Sequence, residues 1–206
     1  MYIEIPRYTD RLSDVYERLD SAYDELALKY DGFSCNGCEK VCCDRVFIHF
    51  TLIEHFHLLE GFRKLSPEKR ESVLERAEEY NKGFSETAHP EENFRMLCPL
   101  CEENRCILHP YRPLLCRVYG LPGVLRKQTG EPLRFPGCWR FQDLYGEVSE
   151  PLDRTAFFSE IAGIEKELRE KLTYFQRYRK TVAQMILDEK RKDGLIMRTY
   201  DFFEGY

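Results

Sequence analysis

The sequence predicts a mainly α fold with a few short β-strands, arranged as a single domain over residues 1–206 in which helices surround an irregular cysteine-rich centre. Three observations lead there. Apolar residues recur at three- and four-residue steps near both ends of the chain. Between Cys98 and Cys138 the chain is instead rich in Pro and Gly, with no sustained period. All nine cysteines fall between Cys35 and Cys138. The composition, 43% hydrophobic and 33% charged, is that of a globular chain able to bury a core and excludes a disordered one.

The first helix is expected from about Asp10 to Tyr30, on the stripe Leu12, Val15, Tyr16, Leu19, Ala22, Tyr23 and Leu26, with Asp31-Gly32 as its stop. Val46-Phe47-Ile48-His49-Phe50 is β-branched and aromatic and predicts a short strand. Thr51-Leu52-Ile53-Glu54 has the form of a capping box and opens a second helix. Ser66-Pro67-Glu68 opens a third, polar helix running to about Asn81, with Gly83 as its stop. Residues 85–92 read as a loop. Pro113 to Val118 is short enough for one helical turn or two, and Val124 to Lys127 and Pro132 to Phe135 are set to pair as a hairpin. The C-terminal helical region, 151–194, carries the stripe Phe157, Phe158, Ile161, Ile164, Leu168, Leu172 and Phe175, continued by Val182, Met185 and Ile186, with a bend at Gly163. Tyr200, Phe202, Phe203 and Tyr206 make the tail too aromatic for a solvated end, so it is expected to pack on the domain or on a partner.

A formal charge of -5 gives no electrostatic pull toward phosphate backbones or anionic bilayers, so neither nucleic acid nor membrane is an expected partner. The chain shows no apolar run of signal-peptide or bilayer-spanning length, and the expected compartment is the cytoplasm. Thiols are kept reduced there, which makes clustered cysteines metal ligands or reactive groups rather than disulfides; an odd count of nine points the same way.

The region 35–138 carries the candidate chemistry. Cys35-Asn36-Gly37-Cys38 is a CxxC, followed by adjacent Cys42 and Cys43, which puts four thiols within nine residues. A CxxC turn brings two sulfurs toward one metal, whereas adjacent cysteines in extended backbone point to opposite sides and would not serve one atom. The second group comprises Cys98-Pro99-Leu100-Cys101, Cys106-Ile107-Leu108-His109, Arg112-Pro113-Leu114-Leu115-Cys116-Arg117, and Cys138. All-cysteine coordination suits both iron–sulfur clusters and zinc. The tight first quartet and the Cys-Pro junction favour iron–sulfur over the paired knuckles of zinc ribbons. Arg112 and Arg117 flank Cys116 and are candidates to offset thiolate charge. His55 and His57, on the second helix, are expected to pack rather than ligate, while His109 lies among the cysteines.

Together these residues resemble the CxxCxxCC cysteine-cluster proteins of the YkgJ type, described as zinc- or iron-chelating. The resemblance covers about half of the chain, from Cys35 to Cys138. It is closest at Cys98-Pro99, Cys106 to Leu108 and Arg112 to Arg117, and departs where three residues rather than two separate Cys38 from Cys42. It implies Cys35, Cys38, Cys42, Cys43, Cys98, Cys106, Cys116 and Cys138 as metal ligands, leaving out Cys101. The function expected is that of a metal-binding protein holding an iron–sulfur cluster or zinc, structural or redox-active, acting with a protein partner. Two alternatives stand beside it. A flagellin lysine N-methylase carries a similar cysteine cluster, which would imply a cluster-dependent protein-modifying enzyme, although the chain has no glycine-rich nucleotide-binding turn and no Ser-His-Asp or Cys-His arrangement. The other alternative is an iron or zinc handling protein with a labile site.

Overall fold

The computed structural model describes residues 4–35, 38, 42–127, 129–147 and 150–190. The centre of the molecule is α2 (Leu52–Arg63), in which every residue from Leu52 to Leu59 is buried. Such a helix has no solvent face and must be wrapped by other elements. It is wrapped by α1 (Ile5–Leu28), α7 (Thr155–Leu172) and α8 (Val182–Leu187), while α3 (Pro67–Glu86) packs on α8. Helices from both ends of the chain thus enclose the middle one, as the mainly α prediction requires.

α1 begins five residues before the expected Asp10, because Ile5 and Tyr8 extend its buried stripe and Pro6 is tolerated in a first turn, where its missing N–H costs nothing. Asp31 and Gly32, both at positive φ, end the turn that follows it. The expected strand at Val46 to Phe50 reduces to one antiparallel bridge between His49 and Lys180.

Thr51 stands at the N-cap of α2, but the capping box does not form. Glu54 takes the Thr51 hydroxyl on one carboxylate oxygen (2.5 Å) and uses the other to accept from the Tyr16 hydroxyl (2.9 Å) and the Leu114 amide (2.6 Å). The free amides at the start of α2, Leu52 and Ile53, are instead capped by the Glu165 carboxylate of α7, each at 2.9 Å. A negative group at this end also meets the helix dipole favourably.

α3 runs past the expected Asn81 to Glu86, capped by the Ser66 hydroxyl, which accepts from the Lys69 amide. Gly83 lies inside this helix and does not stop it: a Cβ there would sit 2.8 Å from the Phe94 ring, so glycine admits the ring. Within the expected loop, residues 90–93 form one further turn, α4 (Pro90–Asn93).

The middle of the chain is built from short pieces. β1 (Cys101–Glu102) and β2 (Arg105–Cys106) form a hairpin whose turn residues Glu103 and Asn104 both take positive φ, the twist that tight hairpins favour. α5 (Leu114–Val118) forms as expected, and β3 (Gly123–Leu125) pairs antiparallel with β4 (Leu133–Phe135) as expected. α6 (Trp139–Tyr145) and β5 (Leu152–Asp153), the latter parallel to β3, were not legible in the sequence.

The C-terminal stripe is two helices rather than one bent helix. α7 passes straight through Gly163 and ends at Thr173, in left-handed geometry. α8 restarts behind a capping box in which the Thr181 hydroxyl accepts from the Gln184 amide and the Gln184 side chain accepts from the Thr181 amide. Phe175 falls in the gap and is exposed, not core. The end of the predicted helix and the aromatic tail, residues 191–206, lie outside the described residues.

Glu165→Ala would leave two buried amides without partners. We expect a loss of roughly 2–6 kcal/mol in urea unfolding, at about 1–3 kcal/mol per unsatisfied group; a loss below about 1 kcal/mol would mean that water replaces the carboxylate.

Candidate metal centre

All nine cysteines are free thiols and all nine line one cavity of about 570 Å³. Residues separated by a hundred positions reach it because three local devices bring them together. The first is a backbone knot: the Cys98 amide donates to the Cys43 carbonyl (2.8 Å), and the Cys101 amide to the Cys98 carbonyl (2.8 Å). The β1–β2 hairpin then sets Cys106 opposite Cys101. The second is α5, where Cys116 sits two residues after Leu114, whose amide is held by Glu54.

The third device brings in Cys138. Its amide donates to the Gly120 carbonyl at 2.9 Å, and the preceding Gly137 adopts φ +84. Cys138 caps α6, whose Phe141 ring meets Phe33 edge-on at 5.3 Å, while Arg140 donates to the Ser34 carbonyl at 2.7 Å. These contacts lay the segment before Cys35 against the helix after Cys138. Within the CxxC, the Cys38 amide donates to the Cys35 carbonyl at 3.3 Å.

Cys42 and Cys43 lie in a 3-10 turn, not in extended backbone, and their thiols are hydrogen-bonded to one another rather than pointing apart. That bond brings Cys42 down to about 7 and pushes Cys43 up. Elsewhere burial dominates: it pushes Cys98 up to about 12 and raises Cys35, Cys101, Cys106, Cys116 and Cys138. Most of the lining is therefore neutral thiol at pH 7, and any metal that binds must displace protons.

The two flanking arginines divide. Arg117 is committed to the frame: its guanidinium donates to the Arg112 and Pro110 carbonyls, pairs with Asp20 and lies 4.0 Å from the centroid of the Tyr16 ring. Its expected role beside the sulfurs is not what these contacts describe. Arg112 lines the cavity with a long ion pair to Asp20, at 3.8 Å, and among the described residues its Nε has no hydrogen-bond partner. Its charge favours the thiolates of Cys35, Cys42 and Cys106 against the trend of burial.

His109 lines the cavity, as its position among the cysteines suggested. His55 and His57 are buried in α2, where His55 Nδ1 is 2.7 Å from the Tyr178 hydroxyl and His57 packs on Tyr16 and Tyr111. Two lining residues were passed over in the sequence. Cys101 comes in through its hairpin pairing with Cys106, which the Glu103-Asn104 turn makes visible in retrospect. His49 is buried with both ring nitrogens unpartnered, and no sequence pattern marks it.

Among the described residues, no three His, Cys, Asp or Glu side chains converge on a point as a ready site for one metal ion. The Cys43 thiol is hydrogen-bonded to those of Cys42 and Cys101, and the other thiols line the cavity around them. Also among the described residues, no helix is long and apolar enough to cross a membrane. Comparison of the chain with family models, curated proteins and solved structures gives no match.

Gly137→Ala would place a Cβ 2.9 Å from the Gly120 carbonyl oxygen at a positive φ, whereas Gly130 has the same φ, +84, with nothing within 4 Å. We expect Gly137→Ala to cost clearly more than Gly130→Ala, each exceeding about 0.5 kcal/mol. Equal urea midpoints for the two variants would remove the close approach of Gly137 to Gly120 as the device that seats Cys138.

Proposed function

We propose that the protein holds an iron–sulfur cluster, with zinc as the other candidate, through Cys35, Cys38, Cys42, Cys43, Cys98, Cys106, Cys116 and Cys138, and that the centre has a structural or redox role exercised with a protein partner. The observation that carries this reading is that every thiol of the chain lines a single cavity. Free cysteines used only as small apolar residues would be distributed through the core; here Cys98, Cys106 and Cys138 pack against it, yet they line the same cavity as the other six. The resemblance to the CxxCxxCC chelating proteins supports the same reading.

The lining fits such a group. Sulfurs bound to a single zinc at 2.3 Å in tetrahedral geometry lie about 3.8 Å apart. Thiols dispersed around a cavity suit a guest that occupies the space between them, which favours a polynuclear cluster. Arg112, with an unpartnered Nε and a charge that reaches three of the thiols, is placed to balance the negative charge of a multi-thiolate centre. A bound cluster would supply one-electron redox chemistry; a bound zinc would supply a fixed crosslink.

Protein purified without oxygen is expected to carry iron with matching acid-labile sulfide and charge-transfer absorption. Zinc in a colourless protein would keep the thiolate site but remove the redox role, and protein without metal, as stable as any loaded form, would end the proposal. Arg112→Gln is expected to weaken metal retention about 10–100-fold in competition with a chelator. Unchanged retention would make Arg112 a bystander.

A further inference from the structure

The nine thiols are more than one four-thiolate centre requires, and their arrangement is not uniform. We infer that they form two adjacent centres that meet at the Cys42-Cys43 peptide, one held by Cys35, Cys38, Cys42 and Cys138, the other by Cys43 with Cys98, Cys101, Cys106 and Cys116. The inference rests on the metal-binding reading above and adds the number of centres and the allotment of ligands.

Backbone connectivity makes the division. Cys43, Cys98, Cys101 and Cys106 belong to one knot, tied by the Cys98 amide on the Cys43 carbonyl, the Cys101 amide on the Cys98 carbonyl, and the Cys101–Cys106 register of the hairpin. Ile107 closes this knot by donating to the Leu100 carbonyl at 2.9 Å. Cys35 and Cys38 belong to another, tied to Cys138 through Phe33 on Phe141 and Arg140 on Ser34. The electrostatic neighbourhoods overlap at Cys42, which acts on Cys35 and Cys138 and also on Cys101 and Cys116. The thiols acting on Cys35 are Cys42, Cys138 and Cys38, and those acting on Cys138 are Cys42 and Cys38. Cys116 is influenced most by Cys98 and Cys106, then by Cys42; Cys98 by Cys106 and Cys101. Cys42 and Cys43, hydrogen-bonded to each other, are the seam between the groups.

The ligand count agrees as well. All-cysteine zinc and cluster sites each take four thiolates, and the two groups offer four and five. A single centre at either group would leave at least four clustered thiols, each with its own backbone device, without a partner. The cavity, at about 570 Å³, is of a size that elsewhere encloses a drug-sized ligand, which is room for two small inorganic centres side by side.

Native mass spectrometry of the anaerobically purified chain, with iron, zinc and sulfide analysis, counts the centres directly. The wild type is expected to carry two, Cys138→Ala one, and the pair Cys106→Ala with Cys116→Ala, which leaves the five-thiol group three ligands, one, each variant keeping the spectrum that the other loses, and all three substitutions together none. Cys35→Ala and the pair Cys98→Ala with Cys101→Ala repeat the test on the same two groups, so that a folding defect at one position, read by circular dichroism, does not decide the outcome. A wild type with one centre, or a single substitution that empties both groups in a folded protein, overturns the division while leaving metal binding intact. A wild type with no metal overturns both readings.

Discussion

The buried carboxylate of Glu54 is the joint on which the rest of the molecule depends. It sits on the central helix α2, accepts from the Tyr16 hydroxyl of α1 and accepts from the Leu114 amide at the head of α5. Three segments far apart in sequence thereby share one acceptor. α5 has five residues, too few to be stable on intrinsic propensity, so its position, and that of Cys116 within it, is imposed from outside. The same logic recurs at the start of α2, which borrows its cap from Glu165 of α7. The first amides of α2 and α5 are thus held by side chains of other helices, whereas α3 and α8 are capped by their own Ser66 and Thr181.

How far the fold was legible follows from this. The helical stripes of α1 and α7 were readable because their apolar residues repeat within each segment, and the hairpin of β3 and β4 was readable from its flanking turn. The capping box at Thr51 was not, since a local motif was outcompeted: Glu54 had two more distant donors to satisfy, both buried, and a buried donor left unpaired costs more than a surface cap returns. The break between α7 and α8 was missed because the apolar period continues across it in phase, while the decisive signal, the Thr181–Gln184 pair, was a capping box hidden inside the stripe.

The site was legible as composition and not as geometry. Cysteine clustering and spacing identified the segment, and the cavity gathers all of it. The resemblance to the CxxCxxCC proteins left Cys101 aside, and two-residue strands have no period to read, so only the paired register sets Cys101 opposite Cys106. Arg117 and Arg112 look equivalent beside Cys116, yet one is consumed by Asp20, two carbonyls and the face of Tyr16, and the other is left to the cavity. Which of two neighbouring charges is free is decided by packing from α1, and no local sequence records it.

The Cys98 amide resting on the Cys43 carbonyl has a consequence for biogenesis. The early thiols leave the ribosome long before Cys138, ninety-five positions after Cys43, can join them. At about 5–20 residues per second, translation of that stretch takes roughly 5–20 s. During that interval the nascent chain displays a dense, incomplete set of soft donors open to copper, to oxidants and to premature crosslinking. Under the metal-binding reading proposed above, loading is a late event, timed by the arrival of the distal half, and the competition it faces is set by how the cell shields unfinished chains.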